Sequence, residues 1–345
     1  MIMIRLTLRQ MEYFEALAET LHFGRAAELA GVTQPALSSQ IAEMEERLGR
    51  RLFDRGGKTV HLTEEARALK PRIDRVLAET REIEATARRG RASMEGRFRL
   101  GVIPTVAPYL LPALLPELRK RFPALAVELR EAVTATLIEE TVAGRLDGMI
   151  AALPLDHAGV SVEPLFEDRF FLAVPKADPG FVSPPVPPES PALERLMLLE
   201  EGHCMRDQAL AVCGSVRPAA MANYGATSLT TLLQMVAHGQ GVTLIPEMAR
   251  AASEAMPELR VVPFAEPMPA RMLGFAWRRN SSRQGECRSL AEIVRGLAPA
   301  SARAAQQMDG EQDPQGDERQ EANSEGGLTV ADAVGGDVDE GVHIA

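Results

Sequence analysis

Three things are scarce in this 345-residue chain: cysteine, long apolar runs and net positive charge. Only Cys204, Cys213 and Cys287 occur, too few for the disulfide framework of a small secreted domain. In a reducing compartment a bond between two of them would be transient and sensory, not structural. No apolar run approaches the roughly 18 residues that span a bilayer, and Met1–Arg5 is too short for a secretory leader. A cytoplasmic protein without membrane contact is expected, and no motif points to a metal or another cofactor. The formal net charge of −10 argues at first sight against a nucleic-acid partner, but it is concentrated in one place. Residues 301–345 hold two basic and eleven acidic side chains, whereas the first 300 hold 36 basic against 37 acidic. That acidic tail, rich in Gly, Asp, Glu and Gln, cannot bury enough apolar surface to offset its ordering entropy, so it is expected to be disordered.

What is there begins with helical spacing. Leu8, Met11, Phe14 and Leu17 predict a first helix, and Phe23–Ala30 a short second one with small residues on its packing side. Gly31-Val32-Thr33 reads as a tight turn in which Gly31 takes a positive φ. Gln34–Leu48 then reads as a third helix, N-capped by Thr33 with Pro35 in its first turn. Leu37, Ile41, Met44 and Leu48 mark its buried face and leave Gln34, Ser38, Ser39 and Gln40 on the other. Two helices across a tight turn with a polar outer face predict a helix-turn-helix, whose second helix enters the major groove of double-stranded DNA. Arg50–His61, with Gly56 and Gly57 at its tip, predicts a two-stranded wing. Arg47, Arg50, Arg51, Arg55 and Lys58 cluster behind the recognition helix, where phosphates would lie.

Further on, Leu69, Ile73, Val76, Thr80, Ile83 and Ala87 follow a 4-3-4-3-4 spacing. This is the a/d seam of a helix that pairs with a second chain, so that two recognition helices face a palindromic site. From Arg97 to Leu297 short β-like runs alternate with helical ones: Phe98–Ile103, Pro108–Phe122, Ala126–Leu129 and Gly148–Ala152 are strand, helix, strand and strand. Such alternation predicts open, largely parallel sheets with ligand chemistry at the strand ends, one of them occupied by Thr105.

The runs Met11–Glu19, Phe23–Ala27, Thr33–Ser38 and Leu48–Arg55 resemble the N-terminus of the LysR-type transcription regulators. Gly144–Gly148 and Gly239–Pro246 resemble landmarks of that family's effector domain. The resemblance implies a winged helix-turn-helix at residues 1–63 and a dimerising linker helix at 64–92. It implies an α/β effector domain at 93–300, made of two Rossmann-like subdomains in the manner of periplasmic binding proteins, the second roughly at 166–267, with the tail at 301–345. It also implies a homodimer or homotetramer on palindromic promoter DNA, with RNA polymerase as a further partner. Arg25, Thr33, Gln34, Pro35, Ser38, Ser39, Gln40, Arg47 and Arg55 would face the DNA.

One segment is more specific. Leu198–Cys213, together with Ile103–Pro112, Glu131–Thr134 and Pro267–Arg271, is similar to the redox region of the family's hydrogen peroxide-sensing members. This similarity implies that peroxide oxidises Cys204 and that Cys213 resolves the product into a disulfide. It implies that Thr105 and Thr134 hold the peroxide, that His203 and Asp207 orient groups around the sulfur, and that Arg271 stabilises the thiolate or the leaving oxygen. Cys287 lies in no such frame and is expected to be inert. A regulator that senses a small metabolite in the effector cleft is the alternative; a thiol peroxidase is not expected, because turnover has no use for a DNA-binding half.

The residues suit the chemistry. Peroxide is attacked by a thiolate, and a free thiol titrating near ~8.5 is mostly protonated at neutral pH. Cys204 follows His203 and precedes Arg206, just before a helix expected to begin near Arg206; a cation and a helix N-terminus both favour charged sulfur. Attack gives a sulfenic acid, which a second thiol condenses to a disulfide. A helix over the nine-residue separation, at about 1.5 Å per residue, would hold the two α-carbons about 13 Å apart. A disulfide needs them within about 7 Å, so oxidation must melt the intervening turns.

Overall fold

Thr7 opens the first helix with a capping box: its hydroxyl accepts from the Gln10 N–H and the Gln10 side chain accepts from the Thr7 N–H, both at 3.2 Å. The computed structural model describes residues 5–54, 56, 60–88, 94–177, 184–187, 189–213 and 226–303. Helices α1 (Leu8–Thr20), α2 (Phe23–Leu29) and α3 (Gln34–Leu48) form the head. Gly31 stands at φ +64 between α2 and α3, where a β-carbon would be strained. Thr33 occupies the N-cap of α3 with Pro35 behind it, but its side chain makes no capping bond, so the expected cap acts through the backbone alone. Leu37, Ile41 and Met44 are buried against Phe14, Leu17 and Phe53. Strands β1 (Phe53–Asp54) and β2 (His61–Leu62) pair antiparallel as the wing. Gly57, Lys58 and Arg55 at its tip lie outside the described residues.

Helix α4 (Glu64–Arg88) corrects the expected single seam. Ala66, Leu69, Ile73 and Leu77 turn into the head's own core, while Val76 and Ile83 remain 42% and 69% exposed. The heptad reading merged two neighbouring stripes. Residues 66, 69, 73 and 77 cover α1 and its neighbours, and the outward stripe is Val76, Thr80, Ile83 and Ala87.

The effector region follows with β3 (Gly96–Val102), α5 (Ala107–Arg121), β4 (Leu125–Glu131), α6 (Thr134–Val142), β5 (Gly148–Ala152) and β6 (Val160–Pro175). After a 3-10 turn at Pro191–Arg195 come α7 (Cys204–Cys213), α8 (Leu229–Ala237), β7 (Thr243–Pro246), α9 (Glu247–Glu254), β8 (Leu259–Pro263), β9 (Ala270–Arg278) and α10 (Gln284–Gly296). The strand order is β4-β3-β5-β9-β6-β7, with β8 also on β6. Among these strands parallel pairing is confined to β3 with β4 and β5; β9, β6, β7 and β8 pair antiparallel, against the expectation of largely parallel sheets. The cause is one long strand. β6 pairs with β9 as far as Arg169, then with β7 and β8 from Phe170 onward, so it leaves one subdomain and enters the next while β9 returns beside it.

Two separate cores result. Phe98, Leu100, Ile150, Phe275 and Leu290 belong to the first; Leu172, Leu193, Leu232, Leu244 and Val262 belong to the second. The described residues up to Ala302 form one unit. Ala302, expected in the tail, is buried in the first core, and the Ser301 hydroxyl bonds to Glu247, so the effector domain runs past residue 300. The expected disorder of the tail falls on residues outside the described ones from 304 onward.

Charged side chains join head, linker and effector. Glu15 of α1 binds Arg81 of α4 and Arg145 of the loop after α6, and Arg145 reaches Glu19 at 2.8 Å. Arg278 of β9 holds Glu79 and Glu82 of α4 at 2.6 and 3.0 Å. Gly144, at φ +69, lets that loop approach α4, since a β-carbon there would stand 3.3 Å from the Ala78 backbone. No described helix is long and apolar enough to cross a membrane.

Candidate functional site

Most of the residues singled out for redox chemistry stand in two groups, one at the starts of α7 and α6 and one around Arg271 where β6 changes partners. Cys204 is the first residue of α7, two positions earlier than the expected helix start, and is a half-buried free thiol. Met205 and Ala209 anchor α7 in the second core, while Cys204 packs against the first. Just before it, Gly202 at φ +93 lies against Val133: a β-carbon there would stand 4.0 Å from Val133 Cγ1. Thr134 follows Val133 as the first residue of α6, and its Oγ1 is sealed from solvent with no partner among the described residues.

Thr105 stands just past β3, buried, at the strand end where ligand chemistry is expected. Arg271 Nη1 donates to its hydroxyl at 2.8 Å and Nη2 to its carbonyl at 3.3 Å. The other edge of the guanidinium pairs with Asp168 at 2.9 Å, both side chains being wholly buried. Burial pushes the Asp168 carboxyl above the usual carboxylate range, and the Arg271 charge pulls it back.

His203 is buried, which draws its pKa below the ordinary imidazole value of 6.5; the nearby Glu200 acts in the opposite sense. A neutral imidazole follows near pH 7, and the Arg206 guanidinium donates to the Leu199 carbonyl at 3.0 Å. His203 is therefore not the cation that its place next to Cys204 suggested. Asp207 is exposed in the first turn of α7. Cys213 closes α7, so ten continuous helical residues separate and include the two cysteines; its side chain lies outside the described residues. Cys287 is fully buried, donates to the Asp147 carbonyl at 3.5 Å and is pushed far up by burial.

Sequence reasoning missed two neighbours. Gln208 lies one turn after Cys204, and its Oε1 is buried with no partner among the described residues. The i+4 spacing on a helix starting at Cys204 was the available signal. Asp168 left none, because its link to Arg271 joins residues 103 apart.

On the head, Arg25, Thr33, Gln34, Pro35 and Ser39 are exposed, and Ser38 and Gln40 half-buried. Gln40 is braced by Gln10 at 3.4 Å and Glu43 at 3.1 Å, and Arg47 is engaged by Glu43 and the Arg5 carbonyl. Both are thus less free than helical spacing suggests. Arg55 lies outside the described residues. A groove of about 600 Å³ beside Ser39 and Gln40 adds Thr7 and Arg9 to this face.

Comparison with known proteins covers most of the chain. Residues 8–67 match the bacterial regulatory helix-turn-helix protein, lysR family, and residues 91–299 match the LysR substrate binding domain. The chain is 37% identical over 290 residues to the DNA-binding transcriptional dual regulator OxyR of Escherichia coli K12, covering 84% of this chain and 95% of that protein. It is 36% identical over 290 residues to the hydrogen peroxide-inducible genes activator of Dickeya chrysanthemi, with the same coverage. Among solved structures, a full-length OxyR cysteine variant from Pseudomonas aeruginosa superposes with TM-score 0.66 at 33% identity, covering 84% of this chain and 98% of that one. A hydrogen peroxide-bound OxyR cysteine variant from Corynebacterium glutamicum superposes with TM-score 0.59 at 30% identity, covering 89% and 97%. With both halves matched in order and the relatives covered almost end to end, the chain belongs to the LysR family of transcription regulators, in the group formed by OxyR and the hydrogen peroxide-inducible gene activators.

Proposed function

We propose that this chain is a DNA-binding transcription regulator that senses hydrogen peroxide through Cys204. The observation that carries the reading is the placement of Cys204. A half-buried thiol opens a helix on one subdomain and packs against the core of the other, beside a helix whose Thr134 hydroxyl is buried and unpartnered. A small polar molecule with two hydrogen-bonding oxygens suits such a crease. Thr105 and Thr134 would hold it, with Arg271 acting at the Thr105 end, while His203, Asp207 and Gln208 shape the start of α7.

Attack by the thiolate gives a sulfenic acid, and Cys213 condenses with it to a disulfide. Because α7 is helical from Cys204 to Cys213, the α-carbons must approach by several ångströms for that bond to form. Oxidation therefore melts α7, whose Met205 and Ala209 belong to the second core. The ion pairs of Arg145 and Arg278 with α1 and α4 would carry a shift of the effector domain to the head. The outward stripe of Val76, Thr80, Ile83 and Ala87 would pair two chains across a palindromic promoter site, with residues 1–63 on the DNA and α4 as the linker. The exposed residues of α2 and α3 and the groove at Thr7 and Arg9 form the DNA-facing surface. Contact with RNA polymerase belongs to the same reading.

The test is a thiol map of the reduced protein before and after micromolar peroxide. A Cys204–Cys213 disulfide with Cys287 still free is expected. A dominant bridge to Cys287, or no thiol loss, would remove the redox reading and leave a metabolite-responsive regulator.

A further inference from the structure

The buried carboxylate of Asp168 has no part in the scheme above, and its position gives it one. Asp168 on β6 and Arg271 on β9 stand opposite each other in the antiparallel ladder. They sit just where β6 changes partners, since Phe170 already pairs with β7. Asp168 Oδ2 takes a hydrogen bond from Arg271 Nε at 3.0 Å and forms an ion pair with Nη2 at 2.9 Å, while Oδ1 takes the Met248 backbone N–H at 3.2 Å. The Phe170 ring lies 5.8 Å from the guanidinium carbon. A fork held along one edge cannot turn about its own plane, so Nη1 stays on the Thr105 hydroxyl.

A hydroxyl carries one proton, and arginine accepts none. Since Thr105 Oγ1 accepts from Arg271, its own O–H is directed away and is available as a donor. We propose that Asp168 is a positioning residue for peroxide cleavage at Cys204: by locking Arg271 it fixes the Thr105 hydroxyl as the donor to the departing oxygen. This rests on the peroxide-sensing reading of the site. In the step itself, the Cys204 thiolate attacks one peroxide oxygen, and the S–O bond forms as the O–O bond breaks. Sulfur is oxidised to the sulfenic acid, whose oxygen keeps its hydrogen. The second oxygen leaves as hydroxide, its growing charge met by the Thr105 O–H, and is protonated by water.

The test compares two reactions of Cys204 in the reduced full-length protein, each followed by peptide mass: oxidation by hydrogen peroxide and alkylation by iodoacetamide. Both consume thiolate, but iodide departs without a proton donor, so the rate ratio isolates assistance to the leaving oxygen. Thr105→Val should lower the peroxide-to-iodoacetamide ratio about a hundredfold. Asp168→Asn should lower it about tenfold, the usual size of an effect exerted through a supporting partner. In the Thr105→Val background Asp168→Asn should add nothing. Asp168→Glu keeps the buried charge but shifts the fork by one methylene; it too should lower the ratio, and it stands in if the Asn variant does not fold. An unchanged ratio in a folded Asp168 variant, or losses that multiply in the double variant, overturns the proposal. Wild-type protein inert to peroxide would instead overturn the sensing reading on which it rests.

Discussion

Cys204 and Cys287 touch the same hydrophobic core from opposite situations. Cys287 is inside it on α10, with its sulfur donating to the Asp147 carbonyl. Cys204 packs against its surface from a helix that belongs to the neighbouring subdomain. Cys287 has a buried arginine, Arg283, among the charges around it. At Cys287 the Arg283 charge is drawn to Asp147 at 3.3 Å and to Glu286, and its guanidinium lies 4.6 Å from the Phe98 ring centroid. Burial dominates there, and the two carboxylates work against the arginine, so the thiol stays protonated. Cys204 sits in the first turn of a helix anchored in one core and packs against the other, and Arg271 of the proposed site is committed to Asp168 and Thr105. The difference teaches that a thiol's reactivity depends on access and on where the neighbouring charges are already committed.

The sharpest way to break this comparison is to exchange the two sulfurs for inert atoms. Cys204→Ser should abolish peroxide-induced transcription of a reporter, whereas Cys287→Ala should leave it intact; a response that survives the first and dies with the second would invert the assignment. Next in size is the buried ion pair. Arg271→Ala leaves Asp168 buried without its partner and should destabilise the protein by about 3–5 kcal/mol in urea unfolding. Arg145→Ala, removing a half-exposed partner of Glu15 and Glu19, should cost about 1 kcal/mol or less. Equal losses would mean that the crease is not specially dry.

An effect smaller than that of Arg271→Ala is expected from Cys287→Ala, about 1–2 kcal/mol for deleting a sulfur from a packed core. Iodoacetamide should label Cys287 only at denaturant concentrations that unfold the effector domain, and labelling in native buffer would show that its burial is transient. The smallest expected effect is a pH slope. The folded pKa of His203 lies below 6.5, so its contribution to stability is present above 6.5 and is lost as pH falls through the lowered value. His203→Gln should therefore flatten the fall of Tm on mild acidification, and slopes that match the wild type would assign the acid sensitivity elsewhere.

Much of the head was legible because its determinants are local. Leu37, Ile41 and Met44 share a helical face at any tertiary arrangement, Pro35 fits only an early turn, and Gly31 suits the left-handed backbone it adopts. The same local logic failed on α4, where spacing could not separate the stripe facing the head from the stripe facing out. It also failed at His203, a chain neighbour of Cys204 whose burial lowers its pKa and leaves it neutral near pH 7. The resemblance placed Thr105, Thr134 and Arg271, yet nothing in the chain near Arg271 announced Asp168.

By itself the sequence determined the helices of the head, the face that presents Ser38 and Ser39, the family, and the nine-residue spacing between two cysteines. All of these rest on short-range periodicity and residue chemistry. Only the tertiary structure decided that β6 would cross between subdomains with β9 antiparallel to it, and that Arg271 would meet Asp168 across that ladder and Thr105 from a third element. Contacts between residues more than a hundred positions apart follow from which buried faces match, and that matching depends on the whole packed chain rather than on any segment of it.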